Sequence, residues 1–119
     1  MLNLKDLVPP FELCRKIPAG EFAESALVWH SGDYFKSYVE ERCEGDVERR
    51  WLGIFPAPTL AEIMDALYEQ MDFVGAKLKD GVCQVGCFRD DDDEAKVVLH
   101  ATNPATAALR LWMQVKGLE

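Results

Sequence analysis

No apolar run in the 119-residue chain approaches the roughly 20 residues that a membrane-crossing helix requires. Lys5-Asp6 interrupts the only N-terminal stretch resembling a signal-peptide core, so a cytoplasmic protein with no membrane association is expected. Basic side chains are scarce, 13 against 21 acidic ones, and the formal charge is −8. Phosphate affinity comes mainly from Lys and Arg, so direct nucleic-acid binding is not expected. What remains is an ordinary globular composition, 49 % hydrophobic and 29 % charged, in a chain of single-domain length spanning 1–119.

Chemical motifs are equally sparse. G-x-S-x-G, the P-loop, G-x-G-x-x-G and H-E-x-x-H are absent, which leaves no catalytic residue to name and no enzyme or cofactor to expect. The four cysteines are Cys14, Cys43, Cys83 and Cys87, and without an export signal they read as reduced structural thiols. Cys83 and Cys87 are one residue too far apart for a zinc knuckle, a second pair is missing, and His30 and His100 have no H-x₃-H spacing, so no metal site is expected. Asp90, Asp92 and Glu94 alternate as in a calcium loop. However, Ala95 stands where such a loop needs Gly and Ala101 where it needs Glu, so the run reads as a solvated loop.

Punctuation and periodicity organise the chain. Pro10 opens a short helix that Pro18-Ala19-Gly20 ends. Residues 25–30 read as a strand turning at Ser31-Gly32, so that Trp29 faces Tyr34 and Val28 faces Phe35. A strand is favoured over a helix for 34–43, and another is expected at 51–55. Thr59 and Glu62 form a capping box ahead of a helix with Leu60, Ile63, Met64, Leu67 and Met71 on one stripe. Asp80-Gly81 predicts a type I′ hairpin pairing Val74 with Cys87, Gly75 with Gly86 and Leu78 with Cys83.

In this register Val74, Ala76, Leu78, Cys83, Val85 and Cys87 share an apolar face, extended by Val97, Leu99 and Ala101 of a third strand. Val98 and His100 fall on the other, mixed face, so His100 lies away from Cys83 and Cys87 and a Cys–His pair is disfavoured. On that face Gly75 and Gly86 make a trough flanked by Phe73, Phe88 and Val98, filled by an aromatic such as Trp51 or Phe11 or by a partner. Asn103-Pro104 caps a last helix with Ala105, Ala108, Leu109, Trp112 and Val115 on its core stripe, and Leu111 and Met113 lie off the stripe.

These elements predict an α+β fold with a single antiparallel sheet, an N-terminal hairpin plus a C-terminal three-stranded meander, and helices packed on one face. At residues 56–67, with P-x-P-T before the helix, and at residues 103–112, the chain resembles small phage- or prophage-encoded proteins of gut bacteria. The resemblance implies the same order of elements and supplies no catalytic residue. The expected role is non-catalytic: protein–protein contact and self-association, as a homodimer, through Phe73, Gly75, Gly86, Phe88, Val98, Trp29, Tyr34, Leu111 and Met113. An acidic inhibitor mimicking nucleic acid and a cryptic small-molecule enzyme are the alternatives.

Overall fold

In the computed structural model, residues 4–31, 37–41, 53–88 and 103–118 are described in full and 96–100 by their backbone. The chain divides into two compact units, Met1–Thr59 and Leu60–Glu119. The α+β class stands, but the expected single sheet is two three-stranded antiparallel sheets, ordered β2-β1-β3 and β4-β5-β6.

The first unit begins with a 3-10 turn, Leu4–Leu7, and a one-turn helix α1, Phe11–Cys14, behind the extended Pro10. Its strands are β1 (Leu27–Ser31), β2 (Ser37–Glu41) and β3 (Ile54–Pro56). The strand reading of the second segment holds over Ser37–Glu41, but its register differs from expectation. Trp29 faces Val39 and Val28 faces Glu40, so the connection spans 32–36 and is not a tight Ser31-Gly32 turn. Ser-Gly lacks the paired positive-φ residues of a strong type I′ signal, so it did not commit the chain to a two-residue loop.

Central strand β1 buries Leu27, Val28 and Trp29 in succession. Phe11 sets its ring edge-on to Trp29 and Phe55, with centroids at 5.9 and 5.5 Å. The Pro9 carbonyl accepts the Trp29 indole N–H at 2.9 Å and the Cys14 thiol at 3.4 Å, which ties the N-terminal segment to the sheet. Burial pushes the Cys14 thiol from 9.0 up to about 12, against a smaller lowering by the adjacent Trp29 side chain. The unfolded chain therefore ionises this thiol before the folded one does. Stability is expected to be unaffected by Cys14 below pH 9 and to fall as pH rises toward about 12, by about 1.4 kcal/mol per unit separating the two values. Urea titrations across that range check this, and a Cys14→Ala chain should lose the dependence.

The second unit comprises α2 (Leu60–Tyr68), β4 (Phe73–Lys79), β5 (Val82–Phe88), β6 (Lys96–His100) and α3 (Pro104–Val115). Asp80 and Gly81 take φ of 52° and 77°, and the β4/β5 register is the expected one from Phe73↔Phe88 to Lys79↔Val82. The third strand is slipped by one residue: His100 lies opposite Cys83, Val98 opposite Val85, and Val97 opposite Gly86. A slip of one exchanges the faces of a strand. By register Val98 and His100 therefore belong to the row of Val85 and Cys83, and Val97 and Leu99 to the mixed row.

α3 packs across β5 and β6 and against α2. Its N-cap is the expected one, with the Asn103 side chain accepting the Thr106 amide at 3.2 Å, and Gly117 closes it at φ 75°. Asn103→Ala is expected to cost about 1 kcal/mol, read as a lowered thermal midpoint, with Asn103→Asp near neutral.

Candidate functional site

Three of the residues expected at an interaction surface are interior. Leu111 and Met113 are 0 and 1 % exposed, and Trp29 is 6 % exposed with its indole N–H satisfied by Pro9. Eight of the twelve α3 residues are buried, including Ala105, Ala107 and Ala108. Small residues on several sides let neighbours approach closely, and only Arg110 and Gln114 among the α3 residues are exposed, so apolar positions off one stripe are core here. Val98 leaves the trough by the register of β6, and Tyr34 lies outside the described residues.

Phe73, Gly75, Gly86 and Phe88 do come together. The Phe73 and Phe88 rings stack across the first pair of the hairpin, with centroids 4.5 Å apart and planes 15° from parallel. Both remain open to solvent, at 50 and 39 %. The two glycines form the floor of a depression of about 350 Å³ lined also by Ala76, Lys77 and Gln84. A Cβ built on Gly75 meets nothing within 4 Å, so among the described residues no aromatic side chain fills the trough at that position. Phe11 is engaged with Trp29 and Phe55, and Trp51 lies outside the described residues.

Two exposed residues of this hairpin escaped the sequence reading, Val82 on the same face and Leu78 on the opposite one. Leu78, assigned to the covered face, is 70 % exposed, and Val82 beside the turn is 38 % exposed. The row from Gly75 to Val82 is exposed without a break. The cause is the placement of α3, which lies over β5 and β6, whereas α2 reaches β4 only near its start. There the Tyr68 hydroxyl donates to the Val74 carbonyl at 2.8 Å. Inner strand β5 thus buries Cys83, Val85 and Cys87 while Ala76 and Leu78 on edge strand β4 stay uncovered. The signal was the order of strands, since an apolar row on an edge strand needs more cover than one helix gives.

Other chemistry is thinner. His30 stacks on Tyr38 at 5.0 Å and sets Nε2 2.7 Å from Glu40 Oε1 on the neighbouring strand, without the angles of a hydrogen bond. A second depression, about 370 Å³, is lined by Leu4, Lys5, Ser37, Tyr38 and Val39. The register puts His100 opposite Cys83, reversing the expectation that they lie on different faces. Desolvation raises the Cys83 thiol above its usual value, which favours the protonated form over a nucleophile. Cys14, Cys83 and Cys87 are buried, and Cys14 and Cys83 are free thiols. Among the described residues no group of three or more His, Cys, Asp or Glu is placed to hold a metal ion, and no helix is long and apolar enough to cross a membrane. The Asp90–Glu94 run lies outside the described residues. Comparison with protein-family models, curated proteins and solved structures returns no match.

Proposed function

We propose that this chain is a small non-catalytic cytoplasmic protein that works through protein–protein contacts and associates with copies of itself. The observation that carries this reading is one hairpin presenting Phe73, Leu78, Val82 and Phe88 to solvent, four of the eight large hydrophobic residues exposed among the described residues, with Leu7, Tyr38, Tyr68 and Leu118 the others. Phe73, Val82 and Phe88 share one face of the hairpin and Leu78 stands on the other. Exposed apolar residues grouped on one element mark interaction sites more often than scattered ones do, and stacked aromatics are suited to them. Among the described residues, neither depression is lined by a carboxylate or imidazole to serve as acid or base. Free buried thiols at Cys14 and Cys83 suit a reducing compartment.

Sedimentation velocity on the reduced full chain tests the reading. A reversible dimer of about twice 13.4 kDa is expected. Replacing both Phe73 and Phe88 with Ser should weaken it at least tenfold while leaving the fold intact. A monomer at every concentration up to the millimolar range would overturn the proposal.

A further inference from the structure

Resting on that reading of self-association, we propose that the contact is the outer edge of β4, paired antiparallel with β4 of a second copy about a two-fold axis at Ala76. The two three-stranded sheets would then join into one of six strands. In a hairpin with a two-residue loop, Lys79 and Val82 exchange both backbone bonds, so Lys79, Lys77, Gly75 and Phe73 direct N–H and C=O toward β5. Leu78, Ala76 and Val74 then direct theirs outward. The bond from the Tyr68 hydroxyl to the Val74 carbonyl confirms this phase. Among the described residues no strand occupies that edge, and every residue from Gly75 to Lys79 is exposed.

The sequence of β4 selects the second copy and the register. A two-fold antiparallel pair keeps each face continuous, and centring it on Ala76 sets Val74 opposite Leu78 of the other copy and Ala76 opposite its equivalent. Leu78, exposed as it is, gains an aliphatic neighbour. On the other face Lys79 meets Phe73 and Lys77 meets Gly75, so each lysine faces an aromatic ring or an open trough and never another lysine. Neighbouring registers are worse. Centring on Lys77 puts Lys77 opposite itself, centring on Leu78 puts Lys77 opposite Lys79, and centring on Gly75 puts Leu78 opposite Asp72. Edge lysines usually prevent pairing. Here their positions exclude the registers centred on Lys77 and Leu78, while the one centred on Gly75 fails at Leu78 and Asp72. The Val74 carbonyl has two lone pairs and accepts from Leu78 of the second copy as well as from Tyr68.

Cross-linking through one introduced cysteine in a Cys43→Ser background, with the native Cys14, Cys83 and Cys87 buried, reads the register. In the oxidation two thiols form one disulfide and oxidised glutathione is reduced to two glutathione thiols. Ala76→Cys lies on the axis, where an opposed pair has Cα atoms about 5.5 Å apart, within disulfide reach. It should give a covalent dimer as the main species. Leu78→Cys is displaced from its equivalent by four residues, about 13 Å along the strand, and should give little. Ala76→Pro removes one outward N–H at an exposed edge position and should raise the dissociation constant at least tenfold. Cross-linking equal or stronger at Leu78→Cys, or a dimer unaffected by Ala76→Pro, would overturn the edge pairing while leaving self-association standing. A sedimentation profile that is monomeric throughout would overturn both.

Discussion

Leu111→Asp is expected to abolish cooperative folding, leaving no sigmoidal thermal transition by circular dichroism. Leu111 is fully buried on a helix whose neighbours Trp112 and Met113 are buried too. A carboxylate there loses its water, and the cations of its own helix, Arg110 and Lys116, are exposed rather than buried beside it. The effective penalty is several kcal/mol per buried ion, added to the lost apolar contact. Domains of this size are stable by roughly 5–15 kcal/mol, so one such change consumes most of the margin. A variant melting cooperatively within a few degrees of the parent would show that this face of α3 is open, and would restore it as an interaction surface.

The second large effect is expected at Gly53. Its φ is 76°, and a Cβ built there stands 2.7 Å from the Ser31 Cβ. That approach is fixed by the Ser31 N–H donating to the Gly53 carbonyl at 2.8 Å where β1 meets β3. Gly53→Ala combines left-handed strain with a backbone-anchored clash, together about 2–5 kcal/mol. Gly81 has nearly the same φ, 77°, with nothing within 4 Å of an added Cβ, so Gly81→Ala should carry the strain alone, about 1–2 kcal/mol. Urea unfolding of both variants separates the terms. Equal losses would mean that Ser31 moves aside freely and that the β1–β3 junction is loose.

The contrast between those glycines also explains what could be read from sequence. Asp80-Gly81 dictates its turn because both residues must take positive φ and few pairs do so cheaply. One loop then fixed seven cross-strand pairs, and with them the Phe73/Phe88 stack and the glycine trough. No such device links β5 to β6, where the connection is a run of acids with no preferred turn. The pairing there slipped by a single residue, and His100 and Val98 changed rows. Ser31-Gly32 misled for the same reason, being compatible with a turn without requiring one.

Periodicity served well where one face of a helix is buried, as with Ile63 and Leu67 of α2. It misassigned Leu111 and Met113 because α3 is enclosed on most sides, a matter of tertiary packing that a stripe pattern does not encode. Leu78 went the opposite way. Its pattern says core, yet its place on an edge strand beyond the reach of α3 leaves it in water.

Amide hydrogen exchange measured at several protein concentrations tests the central claim most directly, because it reads the bonds themselves. The outward amides of Ala76 and Leu78 should exchange quickly in dilute solution and become protected as concentration rises, while those of Lys77 and Lys79, already bonded to β5, change little. Exchange at Ala76 and Leu78 that stays fast at every concentration would contradict the account.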